Sequence, residues 1–150
     1  MADAVAKPVL DDIDRLLIRE LMDDGRATLS NLAEKANLSV SAVQSRVRRL
    51  EARGVIRGYT AKVDPEALGQ PLSAFVAITP LDPSQPDDAP ARLQHIPGIE
   101  ECHSVAGEES YVLLVRVASP RGLEQLLQEI RATANVRTRS TIILQTFYDR

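Results

Sequence analysis

One stretch of the chain, Leu38 to Gly54, carries side chains that suit contact with a nucleic acid. Val43, Val47 and Leu50 recur at helical spacing and form an apolar stripe, while short polar and guanidinium side chains occupy the other faces. Small polar groups allow close approach to base edges, and arginines neutralise phosphate. The stretch therefore predicts a helix with one face for packing and one face suited to a major groove.

The competing interpretation is an ordinary amphipathic surface helix, since a lone helix with a few arginines usually presents a solvated face. The residues that precede this helix favour the interpretation that it enters a major groove. Thr28–Ala36 predicts a short helix, and a tight turn follows at Asn37 and Leu38. Ala33 and Ala36 are small enough for two helices to cross closely. The combination predicts a helix-turn-helix.

The predicted DNA contacts are polar and basic residues of this motif. We expect Gln44, with Ser41 or Ser45, near base edges and the arginines mostly near phosphate, in a dimer that reads two half-sites of a near-palindrome. The full set is Thr28, Ser39, Ser41, Gln44, Ser45, Arg46, Arg48, Arg49 and Arg53.

The formal charge of −3 argues against DNA binding only when it is taken over the whole chain. Exposed charges are screened beyond about 10 Å at ordinary salt, so the local charge decides. Residues 44–62 hold six basic side chains and a single acidic one, Glu51. A local basic patch on an acidic protein suits phosphate contact and limits non-specific binding.

Composition excludes several other classes of protein. Aromatic residues make up 3% of the chain and Trp is absent, which disfavours a base-stacking platform for single-stranded nucleic acid. The single Cys excludes an intrachain disulfide and fits a reducing cytoplasm. We find no export signal and no apolar run of the roughly 20 residues that a membrane-spanning helix needs.

From about Leu10 to the C-terminus the chain resembles the Lrp/AsnC transcriptional regulators, also called feast/famine regulatory proteins. The motifs that carry the resemblance are Asp11–Asp14, Asp24-Gly25-Arg26, Leu38-Ser39, Arg46-Val47-Arg48-Arg49-Leu50-Glu51 and Gly54–Tyr59. The resemblance implies a cytoplasmic DNA-binding regulator of transcription and not an enzyme. It also implies a C-terminal domain that binds an effector and forms oligomers.

The pattern along the chain predicts two domains of an α+β fold. Residues 1–64 are predicted to form the helix-turn-helix domain, which begins with a mobile tail at residues 1–9. Residues 65–71 are predicted to be the linker to the second domain. Asp11 or Asp12 caps a first helix that runs to about Met22. The segment Arg57–Val63 contains β-branched and aromatic residues, which predicts a strand or wing segment.

Residues 72–150 predict a β-α-β-β-α-β order, a ferredoxin-like unit, and the resemblance identifies it as a RAM domain (regulation of amino-acid metabolism). Ser119 and Pro120 are a strong helix start, because a capping hydroxyl precedes a proline at the first helical position. The predicted elements are strand 72–79, helix 87–95, strand 99–106, strand 111–117, helix 120–133 and strand 136–147.

The resemblance further implies that RAM sheets pack face to face in a dimer, and that dimers assemble further, often to octamers. It places an effector, usually an amino acid, between dimers near the loop that joins the second and third strands. That loop supplies the predicted effector residues Gly107, Glu108, Glu109, Ser110 and Tyr111. Many relatives carry Asp where this chain has Ser110, so the effector's identity is open.

The loop also has a physical case of its own. Backbone N–H groups beside Gly107 suit a carboxylate, and Glu108 or Glu109 suits an ammonium group. The competing interpretation is a plain hairpin with solvent-facing acids.

No residue pattern predicts a metal, a cofactor or catalysis. Cys102 and His103 are neighbours on a predicted strand, so their side chains point to opposite faces and cannot share a metal ion. Two alternatives stay open. One is a small-molecule enzyme on the ferredoxin-like half, for which no acid–base pair is found. The other is an architectural DNA-binding protein without an effector.

Overall fold

The computed structural model describes residues 9–82, 84 and 87–148. The chain divides into two compact units, Met1–Lys62 and Val63–Arg150. The predicted tail, apart from Val9, lies outside the described residues.

The first unit holds three helices, α1 (Asp12–Asp23), α2 (Leu29–Ala36) and α3 (Val40–Ala52). Each begins at a side-chain cap, because the oxygens of Asp11, Thr28 and Ser39 accept hydrogen bonds from first-turn backbone N–H groups. All three predicted helices are confirmed, with Asp11 as the cap of the first.

The turn between α2 and α3 depends on one left-handed residue. Asn37 ends α2 with φ of +52°, a conformation that Asn tolerates better than most residues. Its N–H donates to the carbonyls of Ala33 and Glu34, and the N–H of Leu38 donates to Ala33. Orphan carbonyls at the end of α2 are thereby satisfied within the turn.

One small apolar core joins the three helices. Leu17 on α1, Leu32 on α2 and Val43 on α3 are almost completely buried, and Ala33 and Val47 complete the cluster. The apolar stripe of α3 is therefore its packing face, and its other faces remain available.

The strand predicted over Arg57–Val63 is wrong, since residues 57–64 form no helix or strand. A strand needs a hydrogen-bonding neighbour, and the described part of the first unit contains only helices and irregular segments. β-branched composition alone does not supply that neighbour. Residues 65–70 after it form a tight turn, in which the N–H groups of Leu68 and Gln70 donate to the carbonyl of Pro65.

The second unit has the predicted β-α-β-β-α-β order, and the fold class is confirmed. Its elements are β1 (Leu72–Pro80), α4 (Ala89–Leu93), β2 (Ile99–Ser104), β3 (Tyr111–Val117), α5 (Pro120–Ala134) and β4 (Val136–Ile143). The strands form one antiparallel sheet in the order β2-β3-β1-β4.

The two faces of this sheet differ in burial. Ala74, Val76 and Ile78 on β1 and Leu113 and Val115 on β3 are completely buried, together with apolar residues of α4 and α5. Side chains alternate across a strand, so the intervening residues form the opposite face. That face carries Phe75, which is 47% exposed, together with Ala77, Thr79, Val112, Leu114, Arg137, Arg139 and Thr141.

Three elements are shorter than the sequence-based expectation. Helix α4 is confined to Ala89–Leu93, and β2 ends at Ser104. Strand β4 ends at Ile143, short of the predicted residue 147, because Ile143 pairs with Ser73 and β1 begins only one residue earlier. Residues beyond Ile143 have no strand of the described chain beside them, so the alternating pattern continues without a sheet.

Candidate nucleic-acid interface and ligand cavity

Helix α3 presents a polar face opposite its buried stripe. Ser41, Ser45 and Arg48 are exposed and follow one another at four- and three-residue spacing, so they lie on one side of the helix. Arg53, at the end of α3, is also exposed. These side chains are short or flexible and point away from the core, as direct contact with a groove requires.

Three predicted contact residues are partly committed to the fold. The hydroxyl of Thr28 accepts from the N–H of Asn31, and that of Ser39 accepts from Ala42 while lying 3.2 Å from the hydroxyl of Ser41. Gln44 is half-buried and lines a cavity with Arg48, Glu51 and Tyr59, on a flank of α3. At the starts of α2 and α3, the backbone N–H groups that these caps do not bind are available for phosphate contact.

Arg46 is placed differently from the expected phosphate contact. Its Nη1 atom donates to Asp14 Oδ1 at 2.8 Å and to Asp11 Oδ2 at 2.6 Å. Hydrogen bonds to these two carboxylates, that of Asp11 foremost, raise the pKa of Arg46 above its ordinary value. Its side chain is only 24% exposed and links α3 to α1, so the structure gives the expected phosphate contact no support.

Arg49 takes an intermediate position. Its Nη2 atom lies 3.2 and 3.3 Å from the two carboxylate oxygens of Asp14, and 44% of its side chain is exposed. Composition predicts a patch of four equivalent arginines, but the structure separates Arg48 and Arg53 from the two that reach Asp14. The sequence distances of 32 and 35 residues hid these pairs from local reasoning.

Tyr59 is a supporting residue that sequence reasoning missed. Its hydroxyl donates to Glu51 Oε1 at 2.9 Å, which ties the irregular segment after α3 to the helix. Partial burial, followed by this hydrogen bond, raises the pKa of Tyr59 above its ordinary value. The signal in the sequence was a lone aromatic residue eight positions after an acid, which is too weak to interpret without coordinates.

In the second unit the predicted effector loop is closed at its base. The N–H of Val105 donates to the carbonyl of Ser110, and the N–H of Ser110 donates to Ile78 on β1. A Cβ atom added at Gly107 meets no atom within 4 Å, so the space beside this glycine is open. The loop is thus fixed at its ends and accessible at Gly107.

Two of the loop acids border a cavity of about 260 Å³. Glu108 and Glu109 line it together with Ala77 and Thr79 of β1 and Arg137, Thr138 and Arg139 of β4. The cavity therefore offers carboxylates and guanidinium groups, the two charge types that bind the ammonium and the carboxylate of an amino acid. Sequence reasoning missed Arg137 and Arg139, because β4 meets this loop only through the sheet.

Glu109, one of the two acids expected to suit a ligand ammonium, already has a cationic partner within the protein. Its carboxylate accepts a hydrogen bond from Arg139, and this bond lowers the pKa of Glu109 below its ordinary value. Glu109 is half-buried, whereas Glu108 is exposed. Glu108 is thus the better placed of the two acids for an ammonium group.

Tyr111 is placed away from this cavity, contrary to the prediction. It pairs with Ile78, whose side chain lies on the buried face, and it packs against the core beneath α4 and α5. A hydrogen bond with Asp87 raises the pKa of Tyr111 above its ordinary value. Ser110 acts through its backbone and does not line the cavity.

A second cavity, of about 320 Å³, suits an amino acid less well. It is lined by Asp82, Asp87 and Asp88 with Arg92 as the basic residue. Three carboxylates around one guanidinium disfavour a ligand carboxylate.

Metal binding and membrane insertion find no support in the described residues. Cys102 and His103 occupy successive positions of β2, and His103 Nε2 lies 2.7 Å from Glu101. Burial raises the pKa of the Cys102 thiol. No cluster of three or more His, Cys, Asp or Glu side chains is placed for a metal in residues 9–82, 84 and 87–148, and none of their helices is long and apolar enough to span a bilayer.

Comparison with known families assigns a class to each unit. Residues 10–57 match a winged helix-turn-helix DNA-binding family, and residues 73–150 match the Lrp/AsnC ligand-binding domain. A DNA-binding unit followed by a ligand-binding unit defines a ligand-dependent class of transcriptional regulator.

Individual relatives agree along nearly the whole chain. The HTH-type transcriptional regulator LrpA of Mycobacterium tuberculosis is 78% identical over 139 residues, which are 93% of each chain. The leucine-responsive regulatory protein of Escherichia coli is 36% identical over 152 residues, 97% of this chain and 92% of that one.

Solved structures agree as well. The structure of a feast or famine regulatory protein from M. tuberculosis, complexed with L-methionine, is 77% identical with a TM-score of 0.93 and covers 94% of this chain and 96% of its own. The chain belongs to the Lrp/AsnC family of transcriptional regulators, as the sequence motifs indicated, and it is not an enzyme.

Proposed function

We propose that this regulator reads a specific DNA sequence through the exposed face of α3, binds an amino acid in the 260 Å³ cavity, and works as an oligomer in the cytoplasm. The single observation that carries the proposal is the occurrence, in one chain, of an exposed Ser41–Ser45–Arg48 face and a zwitterion-suited cavity.

The DNA contacts divide by exposure. Ser41 and Ser45 are short and exposed, so they approach base edges, while Arg48 and Arg53 neutralise phosphates. Gln44 reaches a base edge from its flank, and the starts of α2 and α3 at Thr28 and Ser39 present backbone N–H groups to phosphates. Arg49 contributes a further guanidinium, which it shares with Asp14.

In the cavity, the ligand carboxylate pairs with Arg137 and its ammonium group with Glu108. Glu109 and Arg139 pair with each other. The charged side chains of the cavity that remain for a ligand are therefore Glu108 and Arg137. Gly107 precedes the cavity residue Glu108 in the loop, and the space beside it is open. L-Methionine, bound in the similar M. tuberculosis protein, is the first candidate to test.

The uncovered face of the sheet is the proposed dimer interface. Phe75 is 47% exposed there and has Leu114 and Thr141 as its direct neighbours on β3 and β4. An exposed aromatic ring on a sheet face that no described helix covers supports an interaction surface. Two copies packed through the part of this face around Phe75 form the dimer, while the charged part of the same face, at Arg137 and Arg139, borders the ligand cavity. Dimers assemble further, with the octamer as the family's frequent form.

Selection from a random duplex library tests the DNA part. The wild-type chain is expected to enrich duplexes that contain two similar half-sites, because a two-fold dimer presents two copies of α3. Replacing Ser41 and Ser45 with bulky Gln should change the enriched sequence while the chain still binds DNA. Enrichment of no sequence by the wild type would contradict this part and would favour an architectural role.

Thermal shift with single amino acids, followed by calorimetry, tests the cavity. A ligand at about 100 times its dissociation constant stabilises the native state by about 2.7 kcal/mol. Gly107→Thr fills the open space beside the loop, so it should abolish that shift without lowering the melting temperature of the free protein. An unchanged shift in this variant would remove the open space beside Gly107 from the proposal.

Sedimentation of the full chain tests the interface. Phe75→Glu places a charge on the sheet face and should dissociate the dimer at micromolar concentration. Met22→Glu is the matched control, since Met22 is apolar and 79% exposed but lies on α1 in the first unit. Equal sedimentation of the wild type and Phe75→Glu would show that the dimer uses another surface.

A further inference from the structure

Asp14 is unusual because it is a charged side chain inside a small core. It is 2% exposed and is the sole buried polar or charged residue among those the structure describes. Its neighbour one turn away, Leu17, is completely buried. A buried carboxylate is tolerated only when it is paired and hydrogen-bonded, so its partners are part of the fold.

All the side-chain partners of Asp14 come from α3. Arg46 donates to Oδ1 at 2.8 Å, and Arg49 lies 3.2 and 3.3 Å from the two oxygens. Asp11 extends the cluster, because its Oδ2 accepts from Arg46 at 2.6 Å and its Oδ1 accepts from the N–H of Asp14 at 2.7 Å. The start of α1 is thereby fastened to the middle of the DNA-reading helix.

The two arginines differ in how tightly they are held. Arg46 has two carboxylate partners, the shorter distances and a side chain 24% exposed. Arg49 has one partner, longer distances and a side chain 44% exposed. Arg46 by itself keeps the charge of Asp14 paired, so Arg49 is able to leave without stranding a buried carboxylate.

We propose that Asp14 is a positioning residue for DNA reading: it fixes the orientation of α3 through Arg46, which does not touch DNA, and it shares Arg49 with a DNA phosphate. This inference rests on the proposed reading of DNA by α3. It divides four arginines that look alike in the sequence into a structural one, Arg46, a shared one, Arg49, and two, Arg48 and Arg53, that form no ion pair within the described residues.

A purely electrostatic role for Asp14 makes the opposite prediction. Asp14→Asn removes one negative charge per protomer from beside the basic face. If Asp14 acted only through its charge, this variant would bind every duplex more tightly and would keep its preference for the selected sequence. If Asp14 positions α3, the preference itself falls, since base contacts depend on the orientation of the helix.

The experiment compares the full-length wild type, Asp14→Asn and Asp12→Asn on the duplex that the wild type selects and on a scrambled duplex of equal length. Asp12 is the matched control: it lies in the same helical turn, is exposed, and has no ion pair within the described residues. We expect the ratio of the two affinities to fall at least tenfold in Asp14→Asn and to stay unchanged in Asp12→Asn. Equal ratios in the two variants would overturn the proposal.

The dependence of affinity on salt separates the arginines. Each phosphate contact contributes about 0.9 to the slope of log affinity against log salt. Arg49→Gln should therefore lower the slope by about 0.9 for each bound protomer. Arg46→Gln is made in the Asp14→Asn background, so that Arg49 is not drawn back to a buried carboxylate, and it should leave the slope of Asp14→Asn unchanged. A further loss of slope on adding Arg46→Gln would show that Arg46 also contacts phosphate.

Asp11→Asn keeps the test decisive if Asp14→Asn does not fold. Asn still caps α1, and the side chain of Asp11 is 50% exposed, so this variant removes one charged partner of Arg46 at little risk to the core. It should reduce the affinity ratio less than Asp14→Asn, and an unchanged ratio would count against positioning. Failure of the wild type to select any duplex would instead reject the proposed function itself.

Discussion

The candidate DNA face is carried by one helix, whereas the ligand cavity is assembled from three separate segments of the second unit. Ser41, Ser45 and Arg48 follow one another within α3, so their common side results from helical spacing alone. The cavity joins β1, the loop at Glu108 and β4, and its arginines lie about 30 residues from the loop. Local periodicity therefore describes the first site, while the second depends on sheet register.

Both units also contain an arginine whose role is decided by a distant carboxylate. Arg46 is held by Asp14, 32 positions earlier, and Arg139 by Glu109, 30 positions earlier. The sequence suggested a DNA contact for Arg46 and no role for Arg139, and in both cases the carboxylate partner gives the arginine a structural contact. A basic residue is therefore assigned securely only after its carboxylate partners are known.

Substitutions in the two cores give the largest expected effects and test the separation of the units. Leu50 and Leu113 are both almost completely buried, in the first and second unit respectively. Leu50→Ala and Leu113→Ala should each cost about 2–5 kcal/mol of unfolding free energy through the cavity they leave. Calorimetry of the full chain should show two transitions, of which each variant shifts one. A single transition that both substitutions shift equally would show that the two units unfold as one cooperative unit.

The same separation explains what the sequence could and could not predict. Caps at Asp11, Thr28, Ser39 and Ser119 are local, so the starts of the helices were predictable. The order of the six elements along the second unit was also predictable, because each has a recognisable local pattern. The end of β4 at Ile143 depends on where its neighbour β1 begins. Residues 57–63 form no strand because they have no neighbouring strand among the described residues. Neither feature can be predicted from the residues of the segment itself.

Replacing Arg137 tests the non-local site with an intermediate effect. Arg137→Gln removes the guanidinium that we assign to the ligand carboxylate and should weaken amino-acid binding about tenfold to a hundredfold, the scale of a charge-assisted hydrogen bond. Arg121→Gln is the control, because Arg121 is equally cationic and exposed but lies on α5, outside the cavity. Titration calorimetry measures the amino-acid affinity of both variants. Equal affinities would contradict the assignment of Arg137 and would favour the interpretation of the loop as a plain hairpin.

Acid titration gives the smallest effect and concerns the first unit. The backbone N–H of Asp14, followed by Arg46, lowers the pKa of Asp11 below 3.8 in the folded chain. A carboxyl with a lowered pKa stabilises the fold above its unfolded pKa, and that contribution is lost as pH falls through the folded pKa. The melting temperature of Asp11→Asn should thus lie slightly below that of the wild type at neutral pH, and the gap should close below pH 3.8. A gap independent of pH would assign the difference to something other than this charge.

The most direct test of the whole account is whether ligand and DNA affect each other's binding to the same chain. The affinity for the selected duplex is measured with and without the amino acid that most raises the melting temperature, in the wild type and in Arg137→Gln. Coupling between sites is typically about 1–3 kcal/mol, so the wild-type affinity should change by about 5- to 150-fold. Arg137→Gln should keep its DNA affinity and lose the response. If no amino acid at millimolar concentration changes the wild-type affinity for DNA, the two sites are not coupled and the account is contradicted.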